Sequence, residues 1–245
     1  MKKIKFKTLK MPFKNMKMTV FSFTMFCLSF IIFFSYLCLV ILKRGSDKYN
    51  VYIGNFLGSI LLMPLIFVPQ IVTKIIKFEI PSPIEVMYVS FLCAALMFGE
   101  IFNFYGMFDW WDNLLHLLSG FFIGMIAYYV ANTFNHYGSH QSMSPLFLAI
   151  FAISLTLALG VIWEFVEYSV DAIFKTNMQG YRVDNSTLVQ SEELVGHAAL
   201  SDTMNDLFMA LLGSGMLSLI ATYQLKKNKT GFATSYFEKI GDRKA

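Results

Sequence analysis

A chain of 245 residues that is 56% hydrophobic and 17% aromatic but only 15% charged lies outside the composition of ordinary soluble domains. Its formal charge of +4 matters less for its sign than for where the basic residues lie, and no nucleic-acid-binding pattern accompanies it. Cys27, Cys38 and Cys93 sit inside apolar stretches without short paired spacing, which argues against a disulfide frame or a cysteine zinc site.

Residues 1–19 carry Lys2, Lys3, Lys5, Lys7, Lys10, Lys14 and Lys17 with no acid, and form a basic arm. An uncharged run, 20–42, follows and ends in Lys43-Arg44. A signal peptide would have a shorter apolar core and a small-residue cleavage site, so this run reads as a retained first helix, long enough for a hydrocarbon core of about 30 Å. Further apolar spans are expected at about 51–73, 84–105, 113–134, 145–174 and 200–224, followed by a basic tail, 225–245. The expected fold is therefore all-α, a polytopic membrane protein of about six transmembrane helices. Pro64 and Pro69 predict a kink in the second span. Gly54 with Gly58, and Gly120 with Gly124, have the four-residue spacing of a close-packing helix face.

Lys and Arg counts predict the orientation. With the N-terminus inside, the inner segments hold seven, two, none and six of these residues, whereas the outer segments hold only Lys43, Arg44, Lys48, Lys175 and Arg182. Both termini are expected inside, with segments 106–112 and 175–199 outside. The excess of lysine over arginine, with abundant Phe and Ile, suggests a bacterial chain and hence the cytoplasmic membrane.

The same topology gathers acids at one depth. Residues 146–162 contain no charge, yet Glu164, Glu167 and Asp171 follow at three- and four-residue steps, on a face that continues back through Gly160 and Thr156. Asp112 and His116 are one turn apart, above Gly120 and Gly124. Asp202 and Asp206 lie above Ala210 and Gly213, and Glu100 lies near the outer end of the third span. No Lys or Arg lies in spans three to six to neutralise them. An intramembrane carboxylate is costly enough to imply a partner or a water-filled cavity, and three on one face repel unless they share a cation or protons.

Each residue also has a plainer reading. Asp112 suits an interfacial cap and His116 a bond to a neighbouring helix, while Asp202 suits an N-cap. Asp206, a full turn deeper, does not. Glu100 fits a protonated acid bonded across the bundle, and Lys175 and Arg182 fit headgroup anchors as well as a phosphate-binding pair. For the row as a whole, imidazole among several carboxylates is a normal divalent-ion set: carboxylate excess favours Mg²⁺, Mn²⁺ or Ca²⁺, and one His leaves Zn²⁺ or Fe²⁺ open. The di-iron bundle pattern of two Glu-x-x-His motifs is absent. Asn185-Ser186-Thr187 matches a glycosylation acceptor, which carries no weight in a bacterial chain.

Asp112-Asn113-x-x-His116-x-x-x-Gly120, Trp163-Glu164-x-x-Glu167 and Asp202-Thr203-x-x-Asp206-Leu207 together resemble the YjdF-like family of bacterial inner-membrane proteins, over about residues 84–219. The resemblance implies a multi-span bundle with a shared polar set and no particular reaction. From the residues themselves three functions are open. One is a metal-dependent enzyme on a lipid or lipid-linked substrate, with His116, Glu164, Glu167 and Asp206 holding the ion and Asp112, Asp171 or Asp202 as ligand or base. The second is a cation- or proton-coupled transporter, and the third a non-catalytic membrane factor with buried structural acids. Apart from Glu85 at the inner interface, no ionisable group continues the polar path inward, which favours the one-sided enzyme site over transport.

Overall fold

A computed structural model describes residues 7–10, 17–138, 143–183 and 192–240. Within them are six helices long and apolar enough to cross a membrane, as the sequence predicts for an all-α polytopic protein. Asn185-Ser186-Thr187, four of the N-terminal lysines (Lys2, Lys3, Lys5 and Lys14) and the last five residues lie outside the described residues. The chain divides into two compact units, residues 1–104 with 237–245, and residues 105–236.

In the first unit part of the basic arm is a strand pair, β1 (Thr8–Lys10) and β2 (Lys17–Thr19), antiparallel with Thr8 opposite Thr19. Helix α1 (Val20–Leu42) has the length read from the sequence. Its start is fixed by Thr19, whose hydroxyl accepts from the Ser22 N–H at 3.1 Å, while its own N–H and hydroxyl donate to Glu85 Oε1 at 2.8 and 3.0 Å. Glu85, the one acid expected at the inner interface, is thus a buried anchor for the α1 N-terminus. The expected kink is present: α2 (Tyr49–Leu65) and α3 (Val68–Ile76) are separate helices, with Pro64 near the end of one and Pro69 in the first turn of the other. The pair β3 (Phe78–Glu79) and β4 (Glu238–Lys239) follows α3.

Helix α4 (Ser82–Leu92) passes into a π-helical stretch, Cys93–Ile101, so the third span ends four residues before the expected boundary. Met18, Leu62, Ile66, Val89, Leu92, Cys93 and Met97 form the core of this unit. The close-packing face expected at Gly54 and Gly58 is not used for tight packing. A Cβ at Gly54 would meet nothing within 4 Å, and one at Gly58 would make only ordinary contact, 3.6 Å, with Ile101. Four-residue glycine spacing permits close approach but does not supply the partner.

The second unit opens within a single turn, α5 (Phe104–Met107), and goes on through α6 (Trp111–Tyr137), α7 (Pro145–Phe174), α8 (His197–Lys226) and a 3₁₀ turn, Phe232–Thr234. Helices α6 and α8 are side by side and parallel. A Cβ at Gly120 would fall 2.8 Å from the Ala210 Cα, and one at Gly124 would fall 2.8 Å from Leu217 Cδ2, so position rises together along both helices. At Gly213 a Cβ would run into the Leu117 carbonyl and come within 2.9 Å of the Phe121 nitrogen. Each helix thus places a glycine against the other's backbone, the geometry that small residues allow and larger ones forbid.

Helix α7 runs the opposite way along α8, and a Cβ at Gly160 would fall 3.1 Å from Leu207 Cδ2. Its buried residues, Leu148, Ala152, Thr156, Glu164, Glu167 and Asp171, form the single stripe expected from their spacing. At the far end from the acids, the Asn132 amide donates to the Ala233 carbonyl at 2.6 Å and to that of Ser235 at 3.1 Å, which pins the 3₁₀ turn to α6.

Candidate functional site

The antiparallel placement of α7 brings its C-terminal end beside the N-terminal ends of α6 and α8, and so collects the acids of all three helices at one end of the second unit. Glu164, Glu167 and Asp206 are 5%, 6% and 1% exposed. The register comes from the glycine crossing: His116 lies one turn above Gly120 and Asp206 one turn above Ala210. His116 Nε2 is accordingly 3.7 Å from Asp206 Oδ2, and 3.6 Å from Asp112 Oδ1 on its own helix. Beside them, the Asn205 side-chain amide donates to Asn113 Oδ1, a further link between the two helices.

Two sets of potential ligand atoms result, each with all atoms within 4.8 Å of one another: Asp112, His116 and Asp206, and Glu164, Glu167 and Asp206. All four residues expected to hold an ion are therefore together, joined by Asp112. Asp202 is close enough to Asp112 and Glu164 for their negative charges to repel. Five carboxylates share one region of a membrane-spanning unit, and among the described residues the buried Asp206 Oδ1 and Glu167 Oε2 have no hydrogen-bond partner. The other Glu167 oxygen accepts from the Trp163 indole N–H at 2.7 Å. An anionic oxygen buried without a donor costs several kcal/mol, so the cluster is complete only with a proton or a cation.

Capping does not account for these residues. Helix α6 begins at Trp111 with Trp110 at its cap and no side-chain cap, so Asp112 is already inside the helix. Helix α8 begins at His197, three residues before the expected boundary, with Gly196 at the cap. That puts Asp202 in the second turn rather than at the N-cap. Only Asp112 lies within the first turn, where the helix dipole helps an anion.

Asp171 has a different setting. Its Oδ1 accepts from the Thr176 hydroxyl at 2.6 Å and the Met178 N–H at 2.8 Å, and its Oδ2 from the Gln179 N–H at 2.9 Å. The loop after α7 is thereby folded back over the acid row. Gln179, which the sequence reading did not single out, donates from Nε2 to Glu164 Oε2 at 3.3 Å and to the Thr203 hydroxyl at 3.2 Å, and so ties α7 to α8 above the cluster. Gly180, at φ +55°, lies against Asp202, where a Cβ would come within 2.7 Å of the carboxylate. No periodic signal marks Gln179; the one hint is its place in a short polar loop directly after the acidic helix.

Among the described residues, neither basic residue of this loop forms an ion pair with the clustered acids. Lys175 ends α7 in a left-handed conformation and is exposed. The Arg182 guanidinium is 3.9 Å from Glu193 and 5.0 Å from the Tyr181 ring, while the Arg182 backbone N–H donates to Asn177 Oδ1 at 3.0 Å. Glu100 ends the π-helical stretch of the first unit, exposed, whereas every other candidate belongs to the second.

The Asp171 contacts make a specific prediction. Asp171→Ala removes the acceptor of three donors, and each donor left unsatisfied costs roughly 1–3 kcal/mol where buried; it should make the 175–183 loop cleavable by protease in detergent while the helices stay intact. A loop as resistant as in the unaltered protein would show that Asp171 does not hold it.

In comparison with known proteins, the chain is 27% identical over 165 residues to an uncharacterised protein of Thermotoga maritima, a match covering 67% of this chain and 73% of that one. No solved structure matches. The family described as "Predicted membrane protein (DUF2238)" matches residues 15–227, nearly the whole chain and all six long helices. With that match and a helical, multi-span architecture, the chain is a multi-pass membrane protein belonging to the DUF2238 family.

Proposed function

We propose that the acid cluster is a divalent-metal pocket of a membrane enzyme that acts on a lipid or lipid-linked substrate. The observation that carries this reading is a pair of buried carboxylate oxygens without a donor among the described residues, one on Asp206, which both potential ligand sets share, and one on Glu167. The donors are hard oxygens with one imidazole, which suits Mg²⁺ or Mn²⁺ better than a sulfur-seeking ion. A bound divalent ion supplies Lewis-acid polarisation of a phosphoryl or carbonyl oxygen and a water of lowered pKa. The residues supply the rest. His116, Glu164, Glu167 and Asp206 are the ligands, Asp112 completes the set beside His116, and Asp202, half-buried on the loop side, is placed to accept a proton. Asp171 and Gln179 hold the loop that limits water. We read the chain as YjdF-like on the motifs quoted above, and its membrane as the bacterial cytoplasmic membrane.

Transport is less well supported, because the acids end abruptly. Below them α7 and α8 continue as Gly160, Thr156, Ala210, Gly213 and Leu217, and α6 as Gly120, Gly124 and Tyr128, with no carboxylate to pass an ion on.

The test uses membranes carrying the chain and supplied with Mn²⁺. Under this reading a lipid or lipid-linked species changes in abundance relative to membranes carrying Glu164→Gln, and the change disappears on chelation. Lipid profiles that are identical in both would remove the enzyme reading. Orientation is tested separately: a cysteine placed at Lys175 should label from the outside and one placed at Ser235 only after permeabilisation. Labelling of both from one side would contradict a pocket open to the outer leaflet.

A further inference from the structure

The two ligand sets meet only at Asp206, and that junction has a consequence for how many ions the pocket takes. Donors on a single Mg²⁺, Mn²⁺ or Ca²⁺ ion at about 2.0–2.6 Å lie at most about 4–5 Å apart. Within each set the atoms satisfy that limit, but the two sets do not merge into one five-residue group. One ion therefore draws on one side or the other and leaves the remaining acids uncompensated. Asp206, in contrast, has two oxygens with different surroundings: Oδ2 is 3.7 Å from His116 Nε2, and Oδ1 is buried with no hydrogen-bond partner among the described residues. Asp206 belongs to both ligand sets and keeps a second oxygen without a donor, and such a carboxylate can bridge two cations, which in paired sites lie about 3.5–4 Å apart.

Charge leads to the same count. Asp112, Glu164, Glu167, Asp202 and Asp206 all lie within repulsive range of one another. Among the described residues neither Lys175, which is exposed, nor Arg182, whose guanidinium lies 3.9 Å from Glu193, forms an ion pair with them. With all five ionised, a single divalent ion leaves three of the negative charges to be met by protons, and two ions leave one. Asp171 needs no ion, since three donors of the following loop already satisfy it.

We propose that the pocket is a dinuclear centre for hard divalent cations, with Asp112 and His116 holding one ion, Glu164 and Glu167 the other, and Asp206 bridging the two. This rests on the metal reading above and deepens it, because a paired site clamps both the attacking and the leaving oxygen of an ester or phosphoester, as one ion cannot. Trp163 contributes by holding one Glu167 oxygen through its indole N–H, which leaves the other free for the ion.

The probe is Mn²⁺, added in excess to the full chain in detergent and then removed by gel filtration. Two Mn per chain are expected, with an exchange-coupled electron paramagnetic resonance spectrum instead of the six-line signal of an isolated ion. His116→Ala should lower the content to one Mn per chain and restore the six-line signal, whereas Asp206→Asn should lose both ions. One Mn per unaltered chain, or two without exchange coupling, would overturn the bridged pair and leave the single-metal pocket standing. No bound Mn would overturn both. The unaltered protein decides the matter by itself, so a variant that fails to fold does not blur the result.

Discussion

Gly213→Leu should abolish the folded second unit, and Gly120→Leu should do the same. A Cβ at Gly213 would run into the Leu117 carbonyl and stand 2.9 Å from the Phe121 nitrogen, and one at Gly120 would stand 2.8 Å from the Ala210 Cα. These are backbone atoms, which cannot swing away as a flexible side chain can. Relief requires α6 and α8 to separate, at a cost well above the roughly 1–3 kcal/mol of an ordinary overpacked site and comparable with a whole protein's stability margin. Gly215→Leu is the control, since a Cβ there meets nothing within 4 Å. The measurement is yield and melting temperature of the full chain in detergent. Equal values for the variants at 120, 213 and 215 would remove the claim that this crossing sets the register of the site.

The second large effect is expected at Asp206, the most deeply buried of the clustered acids. If a cation is bound there, stripping it leaves anions repelling each other in a low-dielectric setting, and melting should fall on chelation and recover with one preferred metal. At a free-ion concentration about a hundred times Kd the stabilisation is about 2.7 kcal/mol, or roughly 5–10 °C in a chain of this length. Asp206→Asn keeps the shape, removes the charge shared by both ligand sets, and should abolish that metal-dependent shift. If the acids are only structural glue, the same variant should instead be neutral or stabilising without any metal, because the cost of a buried charge disappears. The metal-dependent shift in melting, present in the unaltered protein and lost in Asp206→Asn under the metal reading but absent from both under the glue reading, therefore separates the two.

Much of this was legible before the structure, and for identifiable reasons. Helices α1 and α7 match their expected spans because each is bounded by sharp composition changes, Lys43-Arg44 at the end of one and Ser144-Pro145 at the start of the other. The small-then-acidic stripe of α7 and the glycine faces of α6 and α8 follow from helical periodicity alone. Periodicity gives a face but not its partner, which is why Gly54 was expected to pack closely and does not.

The expected start of α8 falls three residues late because His197 breaks the apolar run, although the backbone is already helical there. The roles of Asp171 and Gln179 were beyond reach, since both depend on how the 175–183 loop folds back over the helix ends. Glu85 was read from its depth alone. Its bond to Thr19, sixty-six residues earlier in the chain, is a tertiary contact without a local signature.

The central claim, that a divalent ion completes the cluster around Asp206, is tested most directly by elemental analysis of the full chain purified without chelator. The account predicts stoichiometric Mg, Mn or Ca that is retained through gel filtration and lost from Asp206→Asn and Glu164→Gln. Protein that carries no stoichiometric metal, takes up none when Mg²⁺, Mn²⁺, Ca²⁺ or Zn²⁺ is supplied, and melts at the same temperature with each would contradict it.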